Sequence, residues 1–523
     1  MRRFEKIQFI NNVGSSWFAL GINVAVGIFL SPFILHRLGD AAFGIWVLIF
    51  SITGYYGLFD LGVRSSIVRY ASKFTATGDI EDLAKLINTS LFTYSCVGAL
   101  SLLITFVLFL YVDSIFRVPA ELHATARWLL LMAGASVAFG FPLGVFGGFL
   151  DCLQRFDVNN WTSVAANLLR AVLIVAALDN GRGLLTIALI TVVLPLITSL
   201  VRGIIAFRIR PVPFGLKYVD RATFRMMANY SAVTLIIMIA GRLKFKTDTI
   251  VIGTMLSAAA ITYFNIAGRI VDYAGEIVTS LAQNFLPMAS RSEATGSMDH
   301  LRKVFVTGNR LCAFTIFPVT AILLILGKSI IEVWVGSKYI VTSYPVLVIL
   351  IIPSTLMWAQ AASGRVLFGI SKHRTWAFVT LAEGVSNLVL SVLLVRPYGI
   401  VGDALGTAIP LTCTMVFFMP GHLCRQLGIR LGTYLREAFV LPVVVSAPLV
   451  LALLLMRRWF VAHNYWQLGM QLLVGGIVYG LGLAWVFLTN RTLRVGQLAE
   501  KQDVQPLDVG LVVSTVETYQ QDA

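Results

Sequence analysis

The sequence predicts an all-α polytopic membrane protein: about 14 transmembrane helices in two pseudo-symmetric six-helix lobes, plus an extra C-terminal helix pair. Three observations carry this. Of 523 residues, 57% are apolar and only 13% charged, with a mean hydropathy of +0.82; soluble domains carry roughly a quarter charged residues. Apolar runs of about 20 residues, enough to cross a bilayer, follow one another nearly end to end. Finally, the polar stretch Ala71–Thr89 returns 218 residues later as Ala289–Thr307, with eight of nineteen positions identical. That period is far beyond the ~20–50 residues of solenoid repeats and fits two similar halves.

In order, the first half supplies spans at residues 11–35, 42–64, 88–112, 122–150, 157–179 and 184–208. The second half supplies 228–256, 260–288, 306–328, 342–368, 375–395 and 401–424, and the extra pair is 435–456 and 466–489. The charged start Met1–Phe9 precedes an apolar run too long for a signal peptide, with no small-residue cleavage site, so the first span is retained. Each half holds an even number of spans. Both therefore enter from one face, related by rotation about the membrane normal as in parallel-repeat transporters. The lobes are 1–215 and 216–430, the pair 431–490, and the polar segment 491–523 a mobile cytoplasmic tail. Gly144 with Gly148, and Gly402 with Gly406, let helix backbones approach closely. Pro142, Pro195, Pro287, Pro353 and Pro410 fall inside predicted spans and bend them.

A net charge of +15 raises nucleic acid as a partner, but its distribution argues otherwise. With the N-terminus inside, most of the 41 Lys and Arg fall on the cytoplasmic side, the bias of an inserted protein. The densest run, Arg208, Arg210, Lys217, Arg221 and Arg225, joins the two halves. It reads either as a contact for anionic lipid headgroups or as a topology signal alone. The five cysteines have no paired spacing, so neither disulfides nor a metal site are expected. No phosphate-binding loop, zinc-protease or nucleophile-elbow motif occurs, and the chain reads as a non-enzyme without cofactor.

Charge inside a span is costly and faces a partner or a watery cavity. The largest such cluster opens the second half: Arg242, Lys244, Lys246 and Asp248 in the seventh span, Arg269, Asp272 and Glu276 in the eighth. With the turn near Ser257, Arg242 and Asp272 lie at one depth, and Asp248 and Arg269 within a turn of each other. Two ion pairs are thus expected, Arg242–Asp272 and Asp248–Arg269, leaving a cationic excess. Two readings stand: ion pairs that lock these helices, or a hydrated cavity that takes an anionic headgroup. On the second, Arg242, Lys244, Lys246 and Arg269 meet the anion, and Glu276 or Asp60 binds a coupling ion. Asp60 also sits four residues from Arg64, as a local pair at a helix end would, and Arg170 lies mid-span.

The run from Asn11 to Lys73 resembles the start of polysaccharide-synthesis flippases, the Wzx-like branch of the multidrug/oligosaccharidyl-lipid/polysaccharide exporter superfamily. The shared features are Leu38-Gly39 and Gly44 at the outside turn, Asp60-Leu61-Gly62, and the basic loop after the second span. The second half adds TDTIVIG from Thr247, then Tyr263, Ala267, Arg269-Ile270 and Leu286-Pro287. The resemblance covers roughly residues 5–430. It implies a flippase exporting undecaprenyl-pyrophosphate-linked oligosaccharide across a bacterial inner membrane without ATP, for O-antigen, capsule or exopolysaccharide synthesis. It also implies a V of two lobes around a partly cationic cavity, cytoplasmic termini and a monomer. Its partners would be the polyprenyl-linked cargo, membrane lipids, a coupling proton or Na⁺, and a polymerase and glycosyltransferases of the pathway, with no nucleic acid. No charged residue lies between Ile7 and Leu35, a departure from peptidoglycan-precursor flippases, whose first helix contributes arginines.

Three rival classes are weighed against it, one of them a structural membrane partner, which would not need buried charges. A multidrug antiporter of the same fold would want an apolar or acidic cavity for cationic drugs. A polytopic polysaccharide polymerase or glycosyltransferase would want a sizeable outside loop, whereas turns such as His36–Asp40 and Asp179–Gly183 are short. An anionic headgroup leaving a negative interior gains up to ~2.3 kcal/mol per charge per 100 mV, enough to drive net export.

Overall fold

The computed structural model describes residues 2–60, 63–370, 372 and 374–489; the side chains of 2–14, 16, 17, 20, 65, 76, 229–238, 240, 243–246 and 487 are not described. Its regular elements are all helical, as expected where lipid leaves backbone groups no partner but their own helix. The first half comprises α1 (Arg2–Leu38), α2 (Asp40–Tyr55), α3 (Val63–Thr77), α4 (Ile80–Ile115), α5 (His123–Cys152), α6 (Phe156–Asp179) and α7 (Leu184–Ile209). The second comprises α8 (Arg221–Met255), α9 (Ala258–Ala282), α10 (Phe285–Ala294), α11 (Met298–Val335), α12 (Ile340–Ala359), α13 (Ala361–Gly369), α14 (Arg374–Cys413) and α15 (Met419–Leu427). After the short α16 (Leu431–Leu435) come α17 (Leu441–Trp459) and α18 (Tyr465–Thr489).

Among the described residues eleven segments are long and apolar enough to cross a membrane, so the chain is a multi-pass membrane protein. One of them, Arg374–Leu427, is a hairpin. It turns at Gly399 (φ 57°, ψ −139°), and Asn387 on one arm donates to Thr407 on the other at 3.1 Å. A Cβ on Gly402 would fall 2.0 Å from the Leu394 carbonyl oxygen, and one on Gly406 2.3 Å from the Ser391 hydroxyl. Only glycine permits that approach. The expected packing role fails at Gly144, where an added Cβ would meet nothing within 4 Å. The charged α8 and α9 stand outside the eleven, although both are long helices.

Three predicted spans end differently. The second stops at Tyr55 and continues as a 3-10 turn, Tyr56–Asp60. The eighth stops at Ala282, and Pro287 lies in the first turn of α10, where its missing N–H breaks no bond. The tenth breaks at Gln360, whose side chain donates to the Met415 carbonyl at 2.9 Å. That carbonyl belongs to the π-helical turn Thr414–Phe418, whose wider winding shifts the usual backbone pairing.

Helix boundaries recur at the spacing of the repeat: α2 and α9, α4 and α11, and α6 and α14 each start 218 residues apart. The repeated motif also folds alike. Gly78 (φ 74°) and Gly296 (φ 66°) take the left-handed conformation that ends a helix. The Asp79 amide donates to the Phe74 carbonyl and the Ser297 amide to the Ser292 carbonyl, both at 3.0 Å. Thr77 and Thr295 hydroxyls close on the matching carbonyls, those of Lys73 and Phe74, and of Arg291 and Ser292.

The chain alternates between two membrane faces. The face of the Gly78 and Gly296 turns is termed here the inner face, the other the outer. At the outer ends of the helices the halves are stitched together. Asp40 at the start of α2 accepts from Lys338 (3.1 Å), Tyr339 (2.6 Å) and Tyr263 (3.1 Å). Trp334 donates to the Ile28 carbonyl at 2.7 Å, and the Arg117 amide to the Gly253 carbonyl at 3.0 Å. Gly44 lies so close to α9 that a Cβ would fall 1.8 Å from the Ala258 carbonyl oxygen.

Candidate functional site

Beneath the Asp40 cluster a cavity of about 310 Å³ opens between the halves. α1, α2, α6 and α7 form one side, and α9 forms the other. Each wall follows from helical spacing. On α9, Asn265, Arg269, Tyr273 and Glu276 are three or four apart and therefore share a face. On α1, Asn23, Gly27, Leu30 and Ile34 do the same. Gly27 lets the Tyr273 hydroxyl approach α1 closely, since a Cβ would stand 2.5 Å from it. The lining mixes amides (Asn23, Asn265), aromatic faces (Trp46, Tyr273) and three charges: Arg170, Arg269 and Glu276.

Arg170 of α6 and Arg269 of α9 come from opposite halves and lie close enough to repel. Neither makes an ion pair among the described residues. The Arg170 Nε is buried without an acceptor. A planar guanidinium can grip an oxyanion through parallel N–H donors, and two of them face one polar space here.

The predicted charge cluster divides. Neither expected ion pair, Arg242–Asp272 or Asp248–Arg269, is present. Arg242 lies against the end of α2 and the 3-10 turn that follows it, where a Cβ on Gly57 would meet its guanidinium at 2.9 Å. Asp248 is buried and turns to the α14 hairpin, accepting from Thr407 at 3.1 Å. Arg269 faces the cavity instead. Equal depth along a helix hairpin fixes height and leaves direction around each axis free, and the directions diverge. Asp272 is exposed on α9, within electrostatic reach of Glu276, which lines the cavity. The side chains of Lys244 and Lys246 lie outside the described residues.

The expected Asp60–Arg64 pair does not form either. The helix on which it depended ends at Tyr55, and α3 begins afresh at Val63. Asp60 accepts a hydrogen bond from the Tyr94 hydroxyl, while Arg64 reaches Asp151 on α5 at 3.0 Å.

A second polar site lies inside the second half, where α8 packs on the α14 hairpin. Asp248 and the fully buried Asp403 are within electrostatic range there, with Thr407, Asn387 and Ser391 around them. Ser391 donates to Asn387 and to the Asp403 backbone carbonyl, leaving both Asp403 carboxylate oxygens buried without a donor. Two carboxylates in such a site cannot both stay ionised without a counter-charge.

The sequence profile of the family described as "Polysaccharide biosynthesis protein" matches residues 10–293, more than half of the chain. The chain belongs to that family. This polysaccharide biosynthesis protein is 22% identical over 443 residues to the uncharacterised membrane protein EpsK of Bacillus subtilis, covering 82% of this chain and 86% of that one. It is 19% identical over 422 residues to a Shigella flexneri protein named as an O-antigen transporter, covering 77% and 95%. Its fold matches that of the lipid II flippase MurJ in an inward closed conformation, with a TM-score of 0.71, 16% identity and coverage of 92% and 99%. It also matches an inward-facing multidrug resistance MATE transporter of the MOP superfamily, at 0.62, 15%, 79% and 94%.

In this family member, sequence reasoning placed Arg269 and Glu276 in the right helix for the cavity and missed two groups. Arg170 was visible as a lone charge in a span, but nothing in the sequence aimed it at α9. Asp403 falls at the start of the predicted span 401–424, and nothing in the sequence showed that the Gly402 and Gly406 contacts bury it.

Proposed function

We propose that this protein is a flippase that moves a lipid-linked oligosaccharide outward across the cell inner membrane, passing its pyrophosphate headgroup through the cavity between the halves. The observation that carries this reading is the pair Arg170 and Arg269, one from each half, facing one polar cavity without ion-pair partners. Planar forks of this kind match phosphate oxygens. The amides of Asn23 and Asn265 suit sugar hydroxyls, and Trp46 and Tyr273 offer flat faces to sugar rings. A cavity of about 310 Å³ takes a headgroup and leaves the lipid tail in the bilayer. The named activities of the O-antigen transporter and MurJ point the same way.

The inner face carries the basic connector and is cytoplasmic on the positive-inside argument, which puts both termini in the cytoplasm. With the outer ends joined through Asp40, the described conformer takes cargo from inside. Lobes 1–215 and 216–430 then rock about the cavity to release it. The coupling role first considered for Glu276 and Asp60 passes to Asp248 and Asp403, a buried acid pair on the moving lobe that binds a proton or Na⁺.

The test is made in cells. Without this protein, lipid-linked oligosaccharide should accumulate on the inner leaflet, shielded from an added periplasmic glycosidase. Restoring the wild-type chain should expose it. Cargo that reaches the outer leaflet at the normal rate in the deletion strain would remove the assignment.

A further inference from the structure

The segment that joins the halves, residues 208–225, holds Arg208, Arg210, Lys217, Arg221 and Arg225 against one acid, Asp220. That acid is occupied: it caps α8 by accepting from the Thr223 amide at 2.7 Å and its hydroxyl at 2.8 Å. None of the five cations makes an ion pair among the described residues. Between them stand apolar side chains that point away from the protein: Phe214 is 53% exposed, Leu216 80% and Phe224 47%.

The segment is nevertheless held firmly. Buried Asn88 of α4 donates to the Pro213 carbonyl at 2.9 Å and accepts from the Gly215 amide at 3.0 Å. Thr89 accepts from the Asp220 amide at 3.0 Å, Val212 is buried, and the Phe214 ring packs on Phe207 at 4.5 Å between centroids. A passive tether needs no such pinning, and a topology signal needs only the charge.

We infer that this connector is a fixed interfacial anchor for anionic phospholipid of the inner leaflet. Phe214, Leu216 and Phe224 enter the acyl boundary, and the five cations gather phosphate headgroups around them. Amphipathic segments with cations beside large apolar side chains bind membrane surfaces in this way. Because the connector runs directly into α8, the anchor sets the depth at which α8 begins. The inference uses only the connector and does not depend on the cargo.

The full-length protein, extracted in mild detergent, is offered equal phosphatidylglycerol and phosphatidylcholine, and bound lipid is counted by native mass spectrometry. Wild type should favour phosphatidylglycerol by at least about tenfold, from several cations each contributing at a membrane surface. The variant R208Q/R210Q/K217Q should fall below about twofold, and F214S/L216S should lose retention of both lipids. If the triple variant fails to insert, R221Q/R225Q on the first turns of α8 supplies the same comparison. Equal retention of the two lipids by wild type, or an unchanged preference in the charge variants, overturns the anchor. Retention of a polyprenyl pyrophosphate without phosphatidylglycerol would also overturn it and would assign the connector to cargo capture.

Discussion

Asp403 has no exposed surface, and its carboxylate oxygens accept no hydrogen bond, while Asp248 lies within electrostatic range on the neighbouring helix. An uncompensated carboxylate in such a place is destabilising, and a neutral residue of the same shape removes the difficulty. The variant D403N should therefore keep or raise thermal stability while losing dependence on the coupling cation. In wild type, a bound cation stabilises by mass action, about 2.7 kcal/mol at a hundred times its dissociation constant. The thermal midpoint should accordingly rise with NaCl over matched KCl if the site takes Na⁺, or with falling pH if it takes a proton. A midpoint indifferent to both, or one that responds equally in D403N, would count against a cation at this site. Neither carboxylate's role was legible from spacing alone, because 248 and 403 meet only through the hairpin that buries them.

Among the elements, the seam between α2 and α9 is the most exacting contact. A Cβ on Gly44 would stand 1.8 Å from the Ala258 carbonyl oxygen, so the helices must separate to admit it. The variant G44A should cost about 1–3 kcal/mol, as overpacking does, and lower the thermal midpoint. G144A meets open space and should be neutral or gain roughly 0.5–1 kcal/mol from better helix propensity. Equal effects in the two variants would refute the seam. The repeat makes a paired prediction: Gly78 and Gly296 close the same turn with the same bonds, so G78A and G296A should each cost about 1 kcal/mol, measured as matched shifts in midpoint. These elements were readable in the sequence because glycine spacing, polar breaks and apolar length act locally. Directions around the helix axes were not readable. Depth arithmetic brought Arg242 to Asp272 and Asp248 to Arg269, yet tertiary packing turned Asp248 to the hairpin and Arg269 to the cavity.

For the molecule as a whole, the duplicated halves, their join at the outer ends and the cavity beneath it form one arrangement. The cavity's two guanidiniums belong to different halves, so an anion bound between them would relieve their repulsion and link the halves. Outward transfer of a headgroup with two negative charges gains about 4–5 kcal/mol at 100 mV, interior negative, if the charge crosses uncompensated. The measurement that tests this most directly is translocation of undecaprenyl-pyrophosphate-linked oligosaccharide in proteoliposomes under an imposed potential. Wild type should move the lipid to the far leaflet, and R170Q/R269Q, inserted at normal yield, should do so at least about tenfold more slowly, the loss of two charge-assisted contacts to the moving anion. Wild-type rates in the double variant, or no translocation by the wild-type protein, would contradict the account.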